Sequence, residues 1–191
     1  MPLLKQLQNK KLILASASPR RKEILSLLNI PFEVMPADIE EKISGLSDVV
    51  PLAVEKADYI FQKHPESLVL GADTVVIADG EILEKPKNDE DAFRMVKKLS
   101  GKTHSVYTGV ALLSSQKRFS VLVESKVTVF PISDEEIRRY IEDEHVMDAA
   151  GAYKIQGIFS KFVEKIDGDY LNIVGLPLST VYHELKKQGL V

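Results

Sequence analysis

The sequence predicts an α/β domain built on a mixed sheet, and three observations carry that reading. Short apolar runs alternate with segments of helical period from residue 11 onward. Two long strand-like runs, roughly 103–114 and 119–130, follow one another midway as a pair. The chain has 191 residues, is 45% hydrophobic and contains no Gly/Ser tract, charge block or repeat, which suits one domain over 1–191 with a sizeable core.

The elements follow in order. Residues 11–15 form an apolar strand, and Ser18 and Pro19 then offer a cap and a first-turn proline to a helix burying Ile24, Leu25 and Leu28. "FEVM" (32–35) reads as a short strand. A helix covers 48–63, with Leu52, Ala53, Lys56, Ala57 and Ile60 at helical spacing. "SLVLGADTVVIA" (67–78) is the most continuous apolar strand, interrupted at Gly71-Ala72-Asp73-Thr74. "NDEDAFRMVKKLSG" (88–101) has an Asn88 cap, an acidic first turn, a basic last turn and a Gly101 stop. After the paired strands, Ser133 and Glu136 make a capping box for a helix to about Glu144. Segments 161–166 and 170–174 read as a hairpin about "DGD", and 179–188 as a closing helix.

Composition narrows the function. With no Cys there are no disulfides, thiolate metal sites or Cys nucleophiles. A net charge of −3 disfavours a nucleic-acid or membrane surface, so an anion site must be a local cluster. The apolar runs are shorter than the ~18 residues of a membrane span. "MPLLKQLQNKK" lacks a signal peptide's apolar core, and the expected location is the cytoplasm.

Four stretches stand out chemically. In "ASASPRR" a strand meets a helix N-terminus, where Ser16, Ser18, Arg20 and Arg21 gather hydroxyls and positive charge. Arginines there oppose the helix dipole by about 0.3–1 kcal/mol each, and a phosphate would compensate. A solvated Arg pair behind an ordinary Ser18 cap is the alternative. Without glycines or a Lys–Ser/Thr pair this is no Walker A loop. Asp73 is an acid inside an apolar strand, expensive there unless it meets a cation or does a job. The alternative is a bulge at Gly71 that turns Asp73 to solvent. Lys85 and Lys87 sit before the Asn88 cap, while "DIEEK" (38–42) and "VEK" (54–56) read as ordinary surface charge. "GAYKIQG" (151–157) brackets an aromatic, a cation and Gln156 between glycines, and a neutral amide can read a nucleobase edge. The four His (64, 104, 145, 183) show no metal spacing and read as structural or exposed.

These pieces resemble one family. "LILASASPRR" (12–21), "GADTV" (71–75), "EKPK" (84–87), "LSGKTHSVYTGV" (99–110), "GAYKIQG" and "GLPL" (175–178) match, in order, the Maf (septum formation) nucleotide pyrophosphatases over about residues 11–185. The resemblance implies an elongated mixed sheet flanked by helices, two lobes with a deep central cleft, similar to the inosine-triphosphate pyrophosphatases. It implies hydrolysis of a nucleoside triphosphate to monophosphate and pyrophosphate, and a homodimer. Ser16, Ser18, Arg20, Arg21 and Thr74 would bind substrate, and Asp73 would be the general base for a water attacking the α-phosphorus. Glu41, Lys56 and Lys85 match other charged family positions, the lysines facing the leaving pyrophosphate. Glu41 with Asp73 would hold Mg²⁺ or Mn²⁺.

One departure is the segment "MDAAGAY", where many relatives carry a Lys before "GAY"; Lys154 would substitute or be merely exposed. The family also divides by substrate. Its 7-methyl-GTP branch carries Trp, Gln and Glu where this chain resembles the dTTP/UTP branch, and Gln156 suits the acceptor–donor edge of uracil or thymine. A binding-only regulator of division would not need Asp73, and a phosphatase releasing orthophosphate would not need Gln156. Both residues together favour the pyrophosphatase, whose role is house-cleaning of modified nucleotides or division arrest.

Overall fold

The computed structural model describes residues 11–189. Residues 1–10, read above for a signal peptide, lie outside them. Strand β1 (Leu12–Leu14) is buried at every residue because it lies between two parallel neighbours, β2 (Phe32–Val34) and β3 (Leu68–Ala78). Among the described residues the sheet has seven strands in the order β2-β1-β3-β5-β6-β7, with β4 (Glu81–Leu83) antiparallel to β3 beside that path. Strands β5 and β6 cover Thr103–Leu113 and Arg118–Val129, and β7 (Val163–Asp167) runs antiparallel to β6. The helices are α1 (Pro19–Ser26), α2 (Val49–Phe61), α3 (Asp89–Leu99), α4 (Asp134–Asp143), α5 (Tyr170–Val174) and α6 (Leu178–Lys187). The α/β class and the mixed sheet are therefore as the sequence predicts. None of these helices is long and apolar enough to cross a membrane.

Helix ends follow the local chemistry. Asn88 accepts from the Asp91 amide at 2.9 Å, and α3 carries three acids in its first turn and Lys97 and Lys98 in its last. Ser133 and Glu136 form the capping box of α4. Two expectations need correction. Strand β3 runs unbroken through Gly71-Ala72-Asp73-Thr74. Residues 170–174 are helix, not the second arm of a hairpin, because Asp169 Oδ1 accepts from the Leu171 and Asn172 amides and starts a helical turn. The buried Asn172 fastens that turn by donating to the Val106 carbonyl and Ser125 Oγ, at 3.2 and 3.0 Å.

The chain divides into two compact units. The first holds the chain up to Asp73, Thr108–Val123 and the segment from Gly175. Its core sets Ala53, Ala57 and Ile60 of α2 against Ile13, Ala15, Val69, Ala111 and Leu113. Two glycines let the helix backbone come this close. A Cβ on Gly71 would overlap the Ala53 carbonyl oxygen and stand 2.9 Å from the Ala57 nitrogen, and one on Gly109 would stand 2.7 Å from the Val49 oxygen. Gly71 thus serves helix packing and not a bulge.

The second unit, Thr74–Tyr107 with Glu124–Val174, packs Met95, Val96 and Leu99 of α3 and Ile137 of α4 around an aromatic cluster. Ring centroids of Tyr153 and Phe159 lie 4.6 Å apart, and those of Tyr140 and Phe159 5.4 Å apart. His104 closes the cluster, 3% exposed, its Nε2 hydrogen-bonded to the Tyr153 hydroxyl at 2.8 Å. Burial lowers its pKa from 6.5 to about 4.

Gly71→Ala should cost about 1–3 kcal/mol or more in urea unfolding, because backbone and not a flexible side chain blocks the new methyl. His104 gives a pH signature. Its folded value is depressed, so its contribution is fully present above about pH 6.5 and is lost as pH falls toward 4. The stability difference between wild type and His104→Gln should therefore change by about 3 kcal/mol across that window in denaturant titrations.

Candidate active site

The carboxyl ends of β2, β1 and β3 point the same way, and the first unit's chemistry collects there. Leu14 is level with Val34 and Leu70, so the turn after β1, the loop after β2 and Asp73 of β3 become neighbours. In the turn, Ser18 Oγ accepts from the Arg21 amide at 3.4 Å and caps α1, with Pro19 at its first position. Ser16 Oγ accepts from the Ser18 amide and from Arg21 Nη1, each at 3.2 Å. The serine oxygens thereby hold the turn, and each hydroxyl keeps a hydrogen to donate. Arg21 Nε donates to the Gly175 carbonyl at 2.9 Å. No acid stands in the first turn of α1 to balance Arg20 and Arg21. Burial lowers the Arg21 pKa; Asp73 and Glu41 raise it but do not outweigh the lost solvation.

Lys56 joins the acids. It lies on the buried face of α2 with Ala53, Ala57 and Ile60, which places an ammonium group over the sheet. Its Nζ stands 2.7 Å from Asp73 Oδ1 and 2.7 Å from Glu41 Oε1. Lys56 and Asp73 are each 6% exposed, whereas Glu41 is exposed. This corrects the reading of "DIEEK" and "VEK" as ordinary surface charge. It also settles the alternative for Asp73, which is turned inward. The second Asp73 oxygen, Oδ2, is buried and has no hydrogen-bond partner among the described residues. Leaving such an acceptor unpaired costs about 1–3 kcal/mol, a penalty that structural carboxylates avoid.

The remaining candidates belong to the second unit. Thr74, next in β3, is half-buried. Lys85 is exposed in the loop after β4, and that loop is tied to the 151–157 segment because the Gly151 amide donates to the Glu84 carbonyl at 3.0 Å. Gln156 is exposed in the same segment. Lys154 is half-buried and pairs with Asp148 at 3.0 Å, so it is neither merely exposed nor a free cation. The structure therefore brings together Ser16, Ser18, Arg21, Glu41, Lys56 and Asp73 in one unit, and the Lys85 and Gln156 loops in the other. Sequence reasoning gave Gly175 no role. The signal was the "GLPL" motif, and Gly175 has φ +131, a left-handed conformation that favours glycine while its carbonyl holds Arg21.

The donor set fits a hard cation only with help. Among the described residues no three His, Cys, Asp or Glu gather as a metal cluster. Glu41 and Asp73 supply carboxylate oxygens, one of them unpartnered, which suits Mg²⁺ or Mn²⁺ when phosphates and water complete the shell.

The fold and this cluster define a class: an α/β protein with an arginine-bearing helix N-terminus and a buried acid at the ends of parallel strands. The chain belongs to the Maf-like protein family, which it matches over residues 11–188. It is 48% identical over 182 residues to a dTTP/UTP pyrophosphatase of Bacillus cytotoxicus, covering 93% of this chain and 95% of the relative. The proteins of the same name from Bacillus cereus strain G9842 and Bacillus mycoides are each 45% identical with the same coverage. Among solved structures, the Staphylococcus aureus Ham1 protein is similar over 65% of this chain and 73% of its own, with TM-score 0.47 and 14% identity.

Removing the ammonium should expose how the acids depend on it. Lys56→Met leaves Asp73 buried without its cation and should destabilise by about 3–5 kcal/mol in chemical denaturation. Adding Asp73→Leu removes the stranded charge, and the double variant should recover part of that loss.

Proposed function

We propose that this chain hydrolyses dTTP and UTP to the nucleoside monophosphate and pyrophosphate. The observation that carries the reading is Asp73 Oδ2, a buried carboxylate oxygen without a partner, on an acid that Lys56 fixes through the other oxygen. Membership of the Maf-like family and likeness to relatives named dTTP/UTP pyrophosphatase support it.

In this mechanism the turn at Ser16–Arg21 receives the triphosphate. The α1 amides, the serine hydroxyls and the arginines answer its negative charge. Asp73 Oδ2 takes a proton from a water as its oxygen bonds to the α-phosphorus. The bond from the α-phosphorus to the bridging oxygen breaks, and pyrophosphate leaves with the electron pair. Lys56 keeps Asp73 and Glu41 in place, and Lys85 is assigned to the charge that grows on the leaving group. Glu41 and Asp73 would hold Mg²⁺ or Mn²⁺, which supplies neutralisation of phosphate charge when bound. Gln156 is assigned to the base, accepting from N3–H and donating to O4 of uracil or thymine. The reaction is assigned to the cytoplasm.

With Mg²⁺ or Mn²⁺ the purified protein should release pyrophosphate from dTTP and UTP in a nucleotide panel that detects pyrophosphate and orthophosphate separately. Diphosphate plus orthophosphate as products would reject the mechanism, and binding without turnover would favour the regulator. Asp73→Asn should lower kcat by about 10² or more while nucleotide affinity holds, since a base and a repulsive charge leave together.

A further inference from the structure

The segment that carries Gln156 starts from a strained backbone. Gly151 and Ala152 follow one another with φ +68 and +58, and the left-handed region is unfavourable for an alanine, whose Cβ crowds the following carbonyl oxygen. Such a conformation persists only where its surroundings overdetermine it. Here two buried tyrosines do so. The Tyr140 hydroxyl donates to the Ala152 carbonyl at 3.3 Å, and the next residue, Tyr153, is hydrogen-bonded through its hydroxyl to His104 Nε2 at 2.8 Å. His104 meets Tyr153 edge to face, with ring centroids 5.3 Å apart. The imidazole makes no other side-chain bond among the described residues, since its buried Nδ1 is unpartnered. A histidine kept at that penalty for one hydrogen bond has the tyrosine hydroxyl as its purpose. On the far side, Glu144 accepts from the Ile158 amide at 2.8 Å, and Gly157 leaves room for that carboxylate where a Cβ would overlap it. Gln156 is thus an exposed side chain on a short segment gripped at Tyr153 and at Ile158.

We propose that His104 and Tyr153 are positioning residues for base selection, holding the 153–158 segment so that the Gln156 amide is presented in one orientation to a pyrimidine base. The proposal rests on the reading of Gln156 as the base-reading side chain. It assigns the pair no part in the attack on phosphorus. A loosened segment lets Gln156 sample other directions, so the pyrimidine loses an ordered partner, while adenine, which presents its donor and acceptor in the reverse order, has none to lose. Selection falls and chemistry stays.

The test measures kcat and KM for dTTP and dATP in the full chain, with thermal melting alongside. Tyr153→Phe keeps the ring in the aromatic cluster and deletes the hydroxyl. It should raise KM for dTTP about 3- to 10-fold with kcat within about twofold, and lower the dTTP/dATP ratio of kcat/KM by about the same factor. His104→Ala should do likewise. His104→Gln, whose amide reaches the place of Nε2, should restore most of the ratio. In a Gln156→Ala background Tyr153→Phe should leave the ratio unchanged, because the pair acts through that amide. If Gln156→Ala shifts the ratio and Tyr153→Phe does not, the positioning role is wrong and base reading stands. If Gln156→Ala itself leaves the ratio alone, base reading fails and takes the positioning role with it. An equal loss for both nucleotides that follows the melting temperature would reduce the pair to a structural contact and overturn the proposal.

Discussion

An ammonium group buried between two carboxylates governs how the first unit is built. Lys56 Nζ needs partners once it leaves water, and Asp73 and Glu41, each 2.7 Å away, are those partners. To deliver the ammonium, α2 must lie close on the sheet, which is why Gly71 and Gly109 stand where its backbone passes. To receive it, Asp73 must point inward from a strand whose other residues are largely apolar. Packing that looks like ordinary helix-on-sheet burial is therefore set by a charge. The same ion pair leaves one oxygen of Asp73 unused, and the reaction chemistry is assigned to that leftover.

The second unit solves a different problem with neutral polar groups. Its core encloses a histidine, two tyrosine hydroxyls and an asparagine, and each meets a backbone carbonyl or another side chain. Burial holds the His104 proton affinity low and pushes those of Tyr140 and Tyr153 up, so all three stay uncharged at neutral pH. Uncharged groups can fix loop geometry without adding charge near a polyanionic substrate.

Much of this was legible in the chain because it is local. Asn88 and Ser133 announce α3 and α4 through caps that need only three following residues, and the turn at Ser16–Arg21 shows its hydroxyls and cations in one stretch. The failures share a physical cause. "DGD" reads as a hairpin turn until Ser125, 44 residues away in the chain, engages Asp169 and the helix start becomes visible. Glu41 and Lys56 look like solvated charges because their partnership exists only when the loop after β2 meets α2. Lys154 is likewise undecided in the sequence, since Asp148 becomes its partner only through the fold of the intervening turn. Asp73 was conspicuous alone, as a charge in an apolar run needs no partner to be noticed.

The bond from Arg21 to the Gly175 carbonyl spans 154 positions. An anchor so distant ties the assembly of the Ser16–Arg21 turn to the order in which the chain leaves the ribosome. A nascent chain carrying Ser16 to Asp73 would already possess the turn, the acids and Lys56, yet Arg21 would lack the carbonyl that fixes its guanidinium until residue 175 emerges. At about 5–20 residues per second, the stretch from Asp73 to Gly175 is a delay of roughly five to twenty seconds. The fixed orientation of the Arg21 guanidinium is thus withheld from partly made chains and arrives only with the last part of the first unit.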